Sequence, residues 1–158
     1  NGKAKKPSVT VKDSTGKKLG TSSYTVTYAK GRKDVGRYAV TVQLKGNYSG
    51  SVTKTFTINP KAASFQKLTA GKKKLTVKWK KQTKQISGYQ IQYSTDKKFK
   101  KNVKTTTAAA KVSTKTISKL KSGKRYYVRL RTYKTVKVNG KSTKLYSTWS
   151  KAKNAKVK

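Results

Sequence analysis

Hydrophobic and polar residues alternate with a period of two along most of this 158-residue chain. Successive side chains of a β-strand point to opposite faces, so this period predicts strands with one buried and one exposed face. Clusters of Gly, Asn, Asp and Ser separate the alternating runs and predict turns between the strands. In the first sixty residues, the predicted strands span 8–12, 24–28, 38–44 and 52–58.

A second series of alternating runs follows Pro60, a residue type that interrupts the hydrogen-bond ladder of a sheet. We therefore place a domain boundary after residue 60, which gives domains 1–60 and 61–158. An Asn-Gly pair at 139–140 predicts a tight hairpin turn, and a last strand is predicted from about Trp149 to Val157. Seven short strands at regular spacing predict a sandwich in this second domain. Its predicted buried residues are Leu75, Val77, Trp79, Tyr89, Ile91, Tyr93, Ile117, Leu120, Tyr126, Val128 and Leu130.

No run of useful length has the period of an amphipathic helix, so the predicted fold class is all-β, with two β-sandwich modules in tandem. Composition offers one competing interpretation. The chain carries 42 Lys and Arg against three acidic residues, a formal net charge of +39, and only 32% hydrophobic residues. High charge with low hydrophobicity is typical of disordered chains. The regular alternation favours a folded chain, whose stability we expect to rise with salt because its charges repel one another.

The missing residue types restrict the chemistry that we expect. The chain has no Cys and no His, so we expect no disulfide, no zinc, copper or iron–sulfur site, and no cofactor. Asp13, Asp34 and Asp96 each lie in or next to a turn sequence, where an Asp side chain bonds its own backbone. No Ser–Lys pair stands out as a nucleophile, so we predict that the protein is not an enzyme. No apolar run approaches the roughly 20 residues of a membrane helix, and we expect no membrane insertion.

Lysine supplies most of the positive charge, since only five of the 42 basic residues are Arg. A Lys ammonium group is a hydrated point charge, which suits diffuse attraction to an anionic polymer better than recognition of a defined phosphate or base. Alternatively, these lysines form only a solvated face. Non-specific binding of nucleic acid in vitro is expected for any field of this sign. The candidate anion-binding residues are Lys72, Lys73, Lys74, Lys78, Lys80 and Lys81.

A second candidate surface combines aromatic residues with arginine on one predicted strand. Tyr, Trp and Arg are enriched where proteins bind proteins. The alternative is an internal stack of arginine and aromatic side chains that only stabilises the fold. By sandwich topology this surface lies near Gln90 and Gln92. The candidate protein-binding residues are Tyr127, Arg129, Arg131, Tyr133 and Trp149.

From residue 64 to the end, the chain resembles a fibronectin type III domain. Trp79 on the second strand of this module matches the core tryptophan of that family. Leu120, followed six residues later by Tyr126, is similar to the family's tyrosine corner. The resemblance therefore implies a seven-stranded sandwich for this part of the chain.

The run 146–150, Tyr-Ser-Thr-Trp-Ser, resembles half of the tryptophan-serine box of cytokine-receptor modules. The resemblance implies that Trp149 stacks against Arg129 and Arg131. In the complete box a second tryptophan stands where this chain has Tyr146, so we expect a shorter stack.

Residues 1–60 resemble the Ig-like repeats of surface proteins from Gram-positive gut bacteria. In those repeats another strand precedes the Asn-Gly that opens this sequence. The resemblance therefore implies an incomplete module with an exposed sheet edge, which lysines near the start mitigate. The matching segments are 1–7, 34–36, 46–50 and 56–58.

These resemblances lead to an expected function. We expect a fragment of a longer bacterial protein, extracellular and either secreted or held at the cell surface, that acts as a monomeric adhesion or spacer module. Its expected partner is an anionic polymer of the cell wall or of the host. One alternative is specific binding of a host surface or serum protein, for example an immunoglobulin. Another is an accessory domain of a larger secreted hydrolase or peptidase.

Overall fold

The structure, a computed structural model, describes residues 2–158, and apart from one short 3-10 turn all the regular elements in this part of the chain are β-strands. The all-β fold class is therefore confirmed. The chain divides into two compact units, Asn1–Ile58 and Asn59–Lys158, so the division falls before Pro60 rather than after it. Within residues 2–158, no helix is long and apolar enough to cross a membrane.

The first unit contains one antiparallel sheet of three strands in the order β1-β2-β3. Its central strand pairs Val42 with Val26 on one side and with Val52 on the other. Apolar side chains therefore meet across the sheet, as the alternation predicts. The elements are a 3-10 turn at Thr21–Ser23, β1 at Tyr24–Tyr28, β2 at Gly36–Leu44 and β3 at Ser51–Ile58.

The segment 8–12 does not form the strand that its alternation predicts. Its one bridge joins Lys12 to Lys18, and the N–H of Leu19 donates a hydrogen bond to the carbonyl oxygen of Val11. The segment thus pairs only with residues just beyond its own turn. Alternation indicates which face of a segment is apolar. A strand also needs a second segment of sufficient length to pair with, and alternation does not indicate one.

The second unit is a sandwich of two antiparallel sheets. One sheet has the order β4-β5-β8, and the other has the order β10-β9-β6-β7 with β11 also paired to β9. The strands are β4 at Ser64–Gly71, β5 at Lys74–Lys80, β6 at Gly88–Ser94, β7 at Lys104–Ala109, β8 at Thr114–Ile117, β9 at Arg125–Val138, β10 at Lys141–Tyr146 and β11 at Lys153–Lys156.

Side chains from both sheets form one hydrophobic core. Val77 and Trp79 of β5 contribute from one sheet, and Tyr89 and Ile91 of β6 contribute from the other; all four are almost completely buried. The ring centroids of Trp79 and Tyr89 lie 4.9 Å apart, so this pair joins the two layers. The core tryptophan that the family resemblance implies is therefore confirmed.

The alternation does not predict strand β4, although the family resemblance implies a strand before the one that carries Trp79. The sequence of β4 explains why. Phe65 faces the core from an odd position, whereas Leu68 and Ala70 face it from even positions. The pairing register with β5 shifts between Phe65 and Lys67, which marks a β-bulge. An extra residue in one strand changes the alternation by one position, so a period-2 pattern does not continue through the bulge.

Two local predictions in the second unit are confirmed. Asn139 and Gly140 have φ angles of +49° and +77° and form the two-residue turn between β9 and β10, where Asn-Gly is favoured. The N–H of Lys121 donates a hydrogen bond of 3.3 Å to the hydroxyl of Tyr126, which is the contact of a tyrosine corner.

Candidate functional site

The two arginines of the predicted aromatic surface each lie between two rings. The Cζ atom of Arg129 is 4.2 Å from the ring centroid of Phe99 and 4.5 Å from that of Trp149. The Cζ atom of Arg131 is 4.2 Å from the centroid of Trp149 and 3.8 Å from that of Tyr146. Rings and cations therefore alternate in one stack of five side chains, which we call the arginine ladder. The stacking of Trp149 on both arginines is as the resemblance implies. The expectation of a shorter stack is wrong, because the Tyr146 ring stacks on Arg131.

Glutamines of the neighbouring strand β6 orient both guanidinium groups. Nε and Nη2 of Arg129 donate hydrogen bonds of 3.0 and 2.8 Å to Oε1 of Gln92. Nε of Arg131 donates one of 2.7 Å to Oε1 of Gln90. The strand register pairs the same residues, which confirms the predicted proximity to these glutamines. A neutral amide fixes the orientation of each cation without neutralising its charge.

Burial lowers the pKa of both Arg129 and Arg131. For Arg131, the Tyr146 phenol raises the pKa and the Arg129 charge lowers it, each by less than burial does. Guanidinium groups remain protonated in proteins. The ladder therefore holds two like charges close together, and the rings and amides around them offset their repulsion.

Two serines position Trp149 over strand β9. The N–H of Thr132 donates to Oγ of Ser147 at 3.1 Å, and the N–H of Ser147 donates to the carbonyl oxygen of Thr132 at 3.1 Å. Ser150 makes the same pair of bonds with Leu130, at 3.1 and 2.9 Å. Side-chain oxygens here replace backbone carbonyl oxygens as acceptors, so the chain follows β9 without being a strand. The prediction of a strand starting at Trp149 is therefore wrong, and β11 begins only at Lys153.

Phe99 extends the ladder beyond the residues that the sequence predicted. It lies in the loop between β6 and β7, where the Asp96 carboxylate accepts hydrogen bonds from the N–H groups of Lys98, Lys100 and Lys101 at 2.9, 2.8 and 3.1 Å. Phe99 has a φ of +54°, which is unusual for a bulky residue. The only sequence signal for its role is a lone aromatic residue within a run of lysines after a turn-forming Asp.

Tyr127 and Tyr133 belong to the same face of β9 but lie outside the ladder. The Tyr133 ring is 6.2 Å from the Tyr146 ring, and Nζ of Lys144 is 5.0 Å from the Tyr133 centroid. Tyr127 is half-exposed. The structure thus brings all five predicted residues to one sheet face, with the two arginines already engaged by neighbours: Tyr127, Arg129, Arg131, Tyr133 and Trp149.

The six predicted anion-binding lysines form a strip along β5 of the smaller sheet. All of them are exposed: Lys72 and Lys73 in the turn before the strand, Lys74, Lys78 and Lys80 on its outer face, and Lys81 just after it. At about 3.3 Å per residue, the strand that carries the strip is roughly 20 Å long from Lys74 to Lys80. The ends of the strip therefore lie at opposite ends of the strand, and the six lysines do not form one compact site. Lys67, directly opposite Lys78 on β4, adds a further charge that the sequence did not predict.

The carboxylates of Asp13 and Asp96 are hydrogen-bonded to backbone N–H groups of their own turns. Asp13 accepts hydrogen bonds from the N–H groups of Thr15 and Lys17, and Asp96 accepts those of its own loop. The prediction that these aspartates form turns is confirmed. In the part of the chain that the structure describes, no group of three His, Cys, Asp or Glu side chains could hold a metal ion.

Comparison with known proteins identifies one family and many structurally similar chains, among them the two that follow. The family model of the fibronectin type III domain matches residues 64–148, more than half of the chain. The chain is similar to the fn3 domain of the human collagen alpha-1(XX) chain, with 14% identity and a TM-score of 0.46, over 63% of this chain and 86% of that one. It is also similar to a β-1,2-glucanase from Parabacteroides distasonis, with 16% identity and a TM-score of 0.47, over 76% of this chain but 18% of the glucanase. No curated protein matches the chain in sequence.

Proposed function

The chain belongs to the fibronectin type III family through residues 64–148, and from this premise we propose that it is a non-catalytic adhesion and spacer module attracted to anionic polymers. The polymers are those of a bacterial wall or a host surface. The module acts outside the cell, in a secreted or surface-attached bacterial protein, and it acts as a monomer.

The observation that carries this proposal is an excess of exposed positive charge with few carboxylates to balance it. Forty-two basic residues accompany three acidic ones. The carboxylates of Asp13 and Asp96 are engaged by backbone N–H groups of their own turns. The lysines of the β5 strip are all exposed. A field of one sign raises the local concentration of an oppositely charged polymer and accelerates its association.

The arginine ladder supports the spacer role. It connects the central strands β6 and β9 to the loop that carries Phe99 and to the segment that carries Trp149. Each exposed cation–π contact is worth about 0.5–1 kcal/mol, and more when it is desolvated. Four such contacts, together with three hydrogen bonds to Gln90 and Gln92, stiffen the outer face of the larger sheet. This suits a module that holds neighbouring parts of a protein apart.

A second candidate function is recognition of a host protein, such as an immunoglobulin, by the face of β9. The rings of Tyr127, Tyr133 and Trp149 are all partly exposed there. Tyr and Trp are, together with Arg, enriched at binding hot spots. Arg129 and Arg131 are held by rings and glutamines, and Trp149 is stacked between these arginines. A partner would therefore rely mainly on the rings of Tyr127 and Tyr133.

A binding experiment at two salt concentrations tests the proposal. The immobilised chain is exposed to bacterial wall polymer, sulfated glycan and host serum, first at physiological salt and then near 1 M. Screening shortens the Debye length to about 3 Å at 1 M, so polymer that is bound by diffuse charge should be released. If neither polymer binds at physiological salt, the proposal is wrong. A serum protein that stays bound at 1 M would instead favour the second candidate.

A further inference from the structure

A cleft of about 450 Å³ opens in the second unit between the β6–β7 loop and the segment that precedes β9. Its volume is within the usual range for sites that bind small ligands. Four lysines line the cleft, and none of them belongs to the strip along β5: Lys104, Lys119, Lys121 and Lys124.

Two tyrosine rings and a leucine give the cleft an apolar side. Tyr93 comes from β6 and Tyr126 from β9, and their ring centroids are 6.5 Å apart with the planes inclined by 52°. Leu120, which is 6% exposed, connects this side to the hydrophobic core. The bond from the N–H of Lys121 to the Tyr126 hydroxyl fixes the lysine-bearing loop against the rings. The cleft therefore combines an apolar ring surface with ammonium groups on flexible side chains.

The polar groups of the cleft favour an anionic ligand. None of the residues that line it is acidic. Asn102, whose side chain is an amide, and Thr95 and Tyr93, whose hydroxyl groups can donate hydrogen bonds, are among its lining residues. Burial, and to a lesser degree the neighbouring Tyr126, raises the pKa of Tyr93, so its phenol remains a neutral donor at physiological pH.

The cleft lies at the same end of the sandwich as the first lysines of the β5 strip. The N–H of Leu120 donates to the carbonyl oxygen of Lys73, and the N–H of Lys73 donates to that of Lys158. The turn that carries Lys72 and Lys73 is therefore bonded to the segment that lines the cleft. A chain with one unit in the cleft would have further cations along its path.

We propose that this cleft binds one acidic sugar unit, uronic or sulfated, of an anionic glycan. This proposal rests on the proposed function, because it assigns the diffuse attraction to polyanions a specific anchoring site. The lysines hold the carboxylate or sulfate, the amide and hydroxyl groups bond the sugar hydroxyls, and the rings of Tyr93 and Tyr126 contact the apolar face of the sugar ring.

The shape of the cleft favours a sugar over the other polyanions. A phosphate polymer without rings would leave the apolar side of the cleft unused. Proteins that bind single-stranded nucleic acid present successive stacking platforms along a basic groove. Here two tyrosine rings lie close together at a marked angle, which does not provide separate platforms for consecutive bases.

Three charge-matched variants test the proposal. The cleft variant is Lys104→Gln/Lys121→Gln/Lys124→Gln, and the strip variant is Lys78→Gln/Lys80→Gln/Lys81→Gln. The control variant is Lys137→Gln/Lys141→Gln/Lys151→Gln. The control lysines are exposed and belong neither to the cleft nor to the strip. Each removes three charges. Binding of a sulfated uronic-acid-containing hexasaccharide and of single-stranded DNA of similar charge is measured by calorimetry at physiological salt. Circular dichroism checks that each variant is folded.

We expect the cleft variant to bind the hexasaccharide about ten-fold more weakly than the control, since three close charge contacts are lost. Equal weakening of all three variants would overturn the cleft site while leaving diffuse attraction intact. A wild-type chain that binds neither the hexasaccharide nor the DNA would contradict the proposed function as well. If the cleft variant loses as much affinity for DNA as for the hexasaccharide, the cleft selects charge alone. That result would overturn the assignment of a sugar to the cleft.

A single substitution provides an independent test. Asn102 has a φ of +53°, a conformation that Asp also tolerates, so Asn102→Asp places a carboxylate in the cleft with little strain. We expect this variant to bind the hexasaccharide about ten-fold more weakly, from repulsion of its acidic group. Undiminished binding by this variant would mean that the sugar does not enter the cleft, and would overturn the proposal.

Discussion

The two units share one hydrophobic pattern but differ in what covers it. In the second unit, twelve buried residues of two sheets and of the segments between their strands form a core. In the described residues of the first unit, one three-stranded sheet is present, its buried hydrophobic side chains are Val35 and Val40, and Val52 of β3 is 50% exposed. Alternation thus predicts an apolar face in both units, whereas the depth of the core depends on whether a second layer covers that face.

The two units also differ in net charge. The second unit holds 30 basic residues and one acidic residue, a net charge of +29; the first holds the other 12 basic and two acidic residues, a net charge of +10. The unit with the stronger self-repulsion is therefore the one with the two-layer core. Folded domains are stable by only about 5–15 kcal/mol, so charge repulsion can remove a substantial part of the net stability that core burial leaves.

The largest expected effect comes from removing the ring that joins the two layers. Trp79→Ala should destabilise the second unit by about 3–5 kcal/mol, because the ring is fully buried. Phe56→Ala is the matched change in the first unit, where the ring is half-exposed and lies 5.8 Å from Tyr38. Its cost should be clearly smaller. Urea denaturation, followed by the amide NMR signals of each unit, measures both losses.

A second substitution at Trp79 separates packing from polarity. The Nε1 of Trp79 is buried and has no hydrogen-bond partner among the described residues. Trp79→Phe keeps a ring in the core and removes this unpaired donor, so it should cost less than Trp79→Ala. Equal costs for Trp79→Ala and Phe56→Ala would contradict the idea that the two units differ in core depth.

The next effect concerns the arginine ladder. Arg131→Ala removes contacts with two rings and the bond to Gln90, and should destabilise the second unit by about 1–3 kcal/mol. The matched change in the first unit is Arg32→Ala, where one ring, that of Tyr28, lies 5.4 Å from Cζ. We expect Arg32→Ala to cost less, with thermal denaturation as the measurement.

The control for the ladder is Arg131→Lys, which preserves the charge but not the planar group that stacks. It should restore less than half of the stability that Arg131→Ala loses. Full restoration would mean that charge rather than stacking stabilises this face.

The residues predicted from the sequence are those whose role follows from a regular period or a local motif. Trp79 alternates with exposed lysines, and Arg129 and Arg131 alternate with buried residues of β9. A strand places every second residue on one face, so their sides of the sheet could be predicted without the structure. The stacking of Trp149 came from a motif resemblance, since no period extends to that residue.

The features that the sequence did not predict depend on an irregular backbone. Phe99 reaches the ladder through a left-handed conformation in a loop closed by Asp96. The Oγ of Ser147 accepts the N–H of Thr132 in place of a backbone carbonyl oxygen of a neighbouring strand. A pattern of alternating residues cannot indicate such a bond. The cleft lysines come from β7 and from the segment before β9, and only the folded structure brings them together.

Salt should affect the two units unequally. Repulsion grows with charge density, and the second unit carries +29 on about 100 residues against +10 on about 58 in the first. Raising the salt from about 0.01 to 0.3 M shortens the Debye length several-fold. We therefore expect the melting temperature of the second unit to rise by several degrees and that of the first to rise less. A flat or falling melting temperature would contradict the view that self-repulsion limits stability.

The smallest expected effect is acid loosening of the two aspartate turns. Hydrogen bonds from the N–H groups of Lys98 and Lys100 hold the pKa of Asp96 below its usual value of 3.8, and a hydrogen bond from the Thr15 side chain does the same for Asp13. A carboxyl group whose pKa is lower in the folded state stabilises the fold at any pH above the pKa that it has in the unfolded chain. That contribution is lost as the pH falls from about 4 through the folded pKa.

The consequences of protonating these two aspartates should differ between the units. The Asp96 loop carries Phe99, so its protonation should also loosen the contact between Phe99 and Arg129, whereas the Asp13 turn supports only an isolated bridge. In an NMR titration between about pH 5 and pH 2, the indole signal of Trp149 should follow the amide of Lys98. Asp96→Asn should abolish that response, while Asp13→Asn should leave it unchanged. If the Trp149 signal responds equally in both variants, the Asp96 loop does not control the ladder.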